Sequence, residues 1–96
     1  MSESTEETLD VPVAALRPSL EAVLMVADQP LDAVTLATAV GHPVEDVVAG
    51  LQLLAEQYAE DDRGFELRHV AGGWRYYTRE EYAHVVEASV LDGQQA

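Results

Sequence analysis

Phe65-Glu66-Leu67-Arg68-His69-Val70-Ala71-Gly72-Gly73-Trp74-Arg75-Tyr76-Tyr77-Thr78 alternates large apolar and polar side chains about a glycine pair. A period of two interrupted by glycines is the pattern of a β-hairpin. Gly72-Gly73 reads as its two-residue loop, because both positions then tolerate positive φ. Pairing across that loop sets Ala71 opposite Trp74, His69 opposite Tyr76 and Leu67 opposite Thr78. In this register Phe65, Leu67, Trp74 and Tyr76 share one face, and Arg68, Arg75 and Tyr77 share the other.

On the N-terminal side of the hairpin the period is helical. Leu16, Leu20, Val23, Leu24 and Ala27 form one apolar stripe, with Pro18 tolerable only in the first turn. Asp28-Gln29-Pro30 ends that helix. A shorter helix follows from about Asp32 to Val40, with Ala33, Leu36, Ala37 and Val40 on one face. Asp32 suits its N-cap and Gly41 its left-handed stop. His42-Pro43 makes a tight corner, with Pro43 at the first position of a third helix reaching Glu60. Val44, Val47, Leu51, Leu54 and Tyr58 line the core face of that helix, and Glu45 and Asp46 favour its positive end.

After the hairpin, Thr78-Arg79-Glu80-Glu81 has the spacing of a capping box, and Tyr82, Val85, Val86 and Ser89 continue a closing helix. Three helices, a hairpin and a closing helix predict a mainly α fold with a small β-hairpin, a winged helix-turn-helix. Residues 16–90 form that domain. Residues 1–15 read as a disordered acidic tail and residues 91–96 as a frayed end.

Composition narrows the function. The chain has 96 residues, 18 acidic against 5 basic, and a net charge of −13. That length supports one domain. The absence of cysteine removes disulfides, thiolate metal sites and cysteine nucleophiles, and it fits a reducing cytoplasm. No apolar run approaches the roughly 18 residues of a membrane span, and the N-terminus lacks a signal pattern. His42, His69 and His84 are scattered and share no metal-ligand spacing. Glu60-Asp61-Asp62 lacks the alternation and later Glu of a calcium loop, and Gly72-Gly73 joins strands where a phosphate loop would open a helix. The expectation is no catalysis, no cofactor and no metal.

DNA binding is the serious alternative for this fold. The expected recognition helix, Val44 to Glu60, carries no Arg or Lys but has Glu45, Asp46, Glu56 and Glu60. Those carboxylates oppose a phosphate backbone, leaving Gln52 and Gln57 as neutral readers. Arg68 and Arg75 on the outer wing face remain possible wing contacts, so a transcription regulator using the wing stays open. Met25, Val26, Val48, Leu53 and Tyr77 fall off the core stripes and are candidates for a protein interface.

The order of motifs also resembles a known family. Leu20-Glu21-Ala22-Val23-Leu24-Met25-Val26-Ala27-Asp28-Gln29-Pro30-Leu31 is similar to its opening helix. Phe65 to Arg75 is similar to its wing, and Thr78-Arg79-Glu80-Glu81-Tyr82 to the segment that follows. The chain thus resembles the segregation and condensation protein B family over about residues 16–90. The resemblance implies a non-enzymatic subunit of the bacterial Smc–kleisin complex, acting in chromosome condensation and segregation. It implies a homodimer formed through the N-terminal winged-helix domain. It also implies binding to the kleisin, segregation and condensation protein A, and through it to Smc, in the cytoplasm at the nucleoid. Family members carry a second winged-helix domain, so this chain corresponds to the N-terminal half. Much of the family's kleisin-binding surface is associated with the other half.

Overall fold

Leucines at a four-residue spacing set the first helix: Leu16, Leu20 and Leu24 are the buried residues of α1, Leu16–Val26. The computed structural model describes residues 15–95, with side chains to Val90. The predicted acidic tail lies outside the described residues except for Ala15. α2 spans Ala33–Val40. Its N-cap Asp32 accepts a hydrogen bond from the Thr35 amide at 2.7 Å, and Gly41 closes it at φ +76°. Both ends are as the sequence predicts. α3 spans Val44–Glu60 and starts at Pro43, which occupies the cap position itself.

The three helices enclose one core. Leu20, Leu36, Val47 and Leu51 are its fully buried side chains, and Leu54, Tyr58, Leu67 and Trp74 extend it towards the wing. Val44, predicted to face this core, is 38% exposed; burial on α3 begins at Val47. Where α1 crosses α3, Gly50 admits the α1 leucines: a Cβ there would lie 3.3 Å from Leu20 Cδ1 and 3.4 Å from Leu16 Cδ2. At this crossing a missing side chain sets how near the helices lie.

The wing is the antiparallel pair β1, Phe65–Val70, and β2, Gly73–Thr78. Its faces are as predicted but its register is not. His69 pairs with Trp74, Leu67 with Tyr76 and Phe65 with Thr78, so the loop is Ala71-Gly72. Both loop residues have positive φ, +54° at Ala71 and +82° at Gly72. Gly73 belongs to the strand for a steric reason. It lies beneath Pro30, where a Cβ would stand 2.6 Å from the Pro30 Cβ. The next residue, Trp74, exchanges two backbone hydrogen bonds with Leu31, at 2.7 and 3.0 Å. β2 is therefore held on both edges, by β1 and by the segment between α1 and α2. A shift of two residues preserves side-chain parity, which is why the face assignment survives the wrong register.

The predicted capping box does not form. Thr78 is committed to the β ladder opposite Phe65, and the chain turns instead through a 3-10 helix, Glu80–Tyr82, after Arg79. Arg79 is tied back by its amide to the Gly64 carbonyl at 3.0 Å. α4 then runs Ala83–Gln95, beyond the position at which the sequence reading ended the domain. It does not close the fold. Every side chain from Glu80 to Val90 is exposed.

Candidate functional site

A concave feature lies where α1, the end of α3 and the wing converge. A cavity of about 350 Å³ is lined by Glu21, Met25, Tyr58, Phe65 and Tyr76. Each side chain arrives there by a different constraint. Tyr58 closes the buried stripe of α3, so its ring is in the core while its hydroxyl needs a partner. Glu21, beside Leu20 on α1, supplies it: the Tyr58 hydroxyl donates to Glu21 Oε2 at 2.5 Å. The Tyr76 hydroxyl lies 3.0 Å from that of Tyr58.

Three rings form the wall. Tyr58, Phe65 and Tyr76 have centroids 4.8, 5.9 and 5.4 Å apart in tilted and edge-on pairs. Burial and the bond to Glu21 push the Tyr58 phenol far above its ordinary range. Burial raises the Tyr76 phenol as well. Both phenols are thereby held in their neutral, protonated form.

Met25 alone of the five predicted interface residues reaches this cavity, at its mouth, and it is 76% exposed. Val26 beside it is 81% exposed, and Leu53 on α3 is 50% exposed. Val48 and Tyr77, also predicted to be free, are half-buried. The Arg68 guanidinium lies 4.8 Å from the centre of the Tyr77 ring, a cation–π contact across the outer wing face. Arg68 is directly opposite Arg75, and both are exposed. On the inner face His69 stacks on Trp74 at 4.6 Å and 8°.

Glu21, Tyr58, Phe65 and Tyr76 were not singled out as a site by the sequence. Tyr58 reads there as core, which its ring is, and Phe65 and Tyr76 as members of one face of the wing; Tyr76 is half-buried and Phe65 exposed. The signal was the hydroxyl: a tyrosine at the end of a buried stripe demands a polar partner, and Glu21 is the acid next to the α1 stripe. A second exposed apolar group is on α4 and its lead-in, where Tyr82, Val85, Val86 and Val90 are 37 to 54% exposed. Among the described residues no helix is long and apolar enough to cross a membrane, and no three His, Asp or Glu side chains gather as metal ligands would.

A sequence model described as segregation and condensation complex subunit ScpB matches residues 18–96. Segregation and condensation protein B of Moorella thermoacetica is 41% identical over 73 residues, covering 76% of this chain and 37% of the relative. The crystal structure of ScpB from Mycobacterium tuberculosis superposes with a TM-score of 0.85 at 42% identity, over 91% of this chain and 54% of the other. A dimer of the ScpB N-terminal domain complexed with ScpA peptide is similar in fold, with a TM-score of 0.72 at 19% identity over 79% of this chain and 95% of that one. The chain thus spans well under two thirds of the length of its two longer relatives. By the reach of the family match, over residues 18–96, this chain belongs to the segregation and condensation complex subunit ScpB family.

Proposed function

We propose that the protein is a non-enzymatic subunit of a bacterial Smc–kleisin complex, acting in chromosome condensation and segregation through self-association and protein contacts. Its partners in this reading are a second copy and the kleisin, segregation and condensation protein A, and through the kleisin Smc, at the nucleoid. The single observation that carries the reading is the apolar face of α4. Val85, Val86 and Val90 lie exposed on a helix that buries no described side chain, an arrangement that a protein partner stabilises. Family membership supports the same reading, and a relative of the same fold is a dimer complexed with ScpA peptide. Met25, Val26 and Leu53 join the interface as exposed apolar groups, with Val48 and Tyr77 contributing the parts of them that remain accessible.

Light scattering over a range of protein concentrations tests self-association, and calorimetric titration with the kleisin of the same organism tests the partner. A dimer that binds the kleisin is expected. A monomer without affinity for the kleisin would overturn the reading.

One observation favours a second reading. Arg68 and Arg75 present two cations side by side on the outer wing, the arrangement a DNA-contacting wing would use. Against it, α3 carries Glu45 and Asp46 in its first turn, where a recognition helix meets the groove. Saturable, sequence-dependent retardation of duplex DNA at physiological salt would favour this reading over the first.

A further inference from the structure

The cavity between α1, α3 and the wing has a polarity fixed by its hydrogen bonds. An ionised Glu21 only accepts, so the single proton of the Tyr58 hydroxyl is spent on it at 2.5 Å. Tyr58 must then accept from Tyr76 across their 3.0 Å contact, which spends the proton of Tyr76. The chain runs Tyr76 to Tyr58 to Glu21, and every valence left over is an acceptor: the second Glu21 oxygen and the lone pairs of the Tyr76 hydroxyl. Among the described residues no ion pair engages Glu21; those formed are Arg63 with Asp61 and Arg79 with Glu81. The rest of the cavity is apolar, with the Met25 side chain at the mouth and the Phe65 ring on the wall.

An acceptor-only floor beside an apolar wall suits a group with an aliphatic stem and a head made of donors. We propose that this cavity docks an arginine side chain projecting from a partner protein. Its methylenes lie along Met25 and Phe65, its guanidinium bonds Glu21, and the plane of the head stacks on an aromatic ring. The net charge of −13 on the chain adds long-range attraction for a basic segment. The proposal rests on the protein-contact reading above and names the chemistry recognised at one point of that contact. Lysine fits less well, because its ammonium has no planar fork of donors to share between the free Glu21 oxygen and the Tyr76 hydroxyl and no face to lie flat on a ring.

The test uses the whole chain in two arms. In the first, nuclear magnetic resonance follows the Met25 methyl and the Phe65 and Tyr76 ring signals during titration with N-acetyl-arginine amide at millimolar concentration. N-acetyl-citrulline amide, of the same shape without the charge, is the control. The expected result is movement of those signals with arginine, little with citrulline, and none in Glu21→Gln. Absence of movement with arginine, or equal movement with both probes, overturns the proposal. In the second arm the kleisin is titrated into the wild type and into Glu21→Gln, with melting followed to show that the variant is folded. A loss of at least roughly tenfold in affinity is expected on removing one partner of a desolvated charge pair. Equal affinities overturn the assignment of the cavity to that contact and leave the protein-contact reading standing. A wild type that fails to bind the kleisin overturns that reading's choice of partner, and the arginine titration then decides the cavity alone. Should Glu21→Gln prove unstable, Tyr76→Phe removes the terminal acceptor together with the donor to Tyr58, leaves the Glu21 carboxylate in place, and is expected to weaken arginine binding in the same direction.

Discussion

Gly73 sits beneath Pro30 so closely that a Cβ on the glycine would stand 2.6 Å from the Pro30 Cβ and 3.1 Å from its carbonyl carbon. Gly73→Ala is therefore expected to cost about 1–3 kcal/mol through overpacking. Gly72→Ala is costly for another reason, its φ of +82° with open space around it. The two are separated by a cycle with Pro30→Gly: part of the Gly73→Ala loss is recovered and none of the Gly72→Ala loss. Urea denaturation of the three single and two double variants checks it.

Ala71 holds φ +54°, a conformation that burdens any L-residue with a Cβ. Ala71→Asn keeps a side chain while tolerating the left-handed region better. A gain of about 0.5–1 kcal/mol is expected, seen as a higher urea midpoint with an unchanged slope.

Burial separates the two groups of apolar residues. Leu51→Ala, in the fully buried centre, is expected to lose about 2–5 kcal/mol. Val86→Ala on α4 should change the stability of the isolated protomer by less than about 0.5 kcal/mol. A comparable loss at Val86 would mean that α4 is packed in the protein as it exists in solution, as in a dimer.

Interface variants should alter assembly and spare folding. Met25→Glu, Val26→Glu and Leu53→Glu each add a carboxylate at an exposed apolar position. Folded monomers by light scattering and circular dichroism are the expected outcome. Dimers that persist in all three variants would remove these positions from the interface and leave self-association to α4 alone.

Alkaline stability depends on the phenol pair. In the unfolded chain these tyrosines ionise near pH 10, and in the folded domain both are raised, by burial first. The stabilisation is complete below about pH 10. Above it the unfolded state releases protons that the folded state keeps, so stability falls as pH rises. Tyr58→Phe should flatten this fall. An equal alkaline slope in wild type and variant, measured by urea denaturation at successive pH values, would contradict the assignment.

The helices were legible because their signals are local. Asp32 and Gly41 mark α2 by cap chemistry, and the leucines of α1 repeat at the helical period. The wing register was misread because the decisive contact is distant: Gly73 is a glycine on account of Pro30, far along the chain, and by itself a glycine pair points to a turn. Thr78 misled in the same way, since its capping pattern lost to a ladder with Phe65. The arginine-lined outer wing face could be read from parity alone. The cavity could not, for it needs Glu21, Tyr58 and Tyr76 from three elements to converge, and a sequence states each residue's chemistry without stating that meeting.

The clamping of β2 on both edges also makes the wing a mechanical element. α4 follows β2 after one 3-10 turn, so a pull delivered along α4 enters the domain at Arg79, held to Gly64, and at Thr78, held against Phe65. To reach the helices it must next part β2 from β1 and then break the paired bonds between Trp74 and Leu31. Tension on a partner bound to α4 is thus taken up first by the hairpin and by the Leu67 and Trp74 side chains it gives to the core, before it reaches the helices.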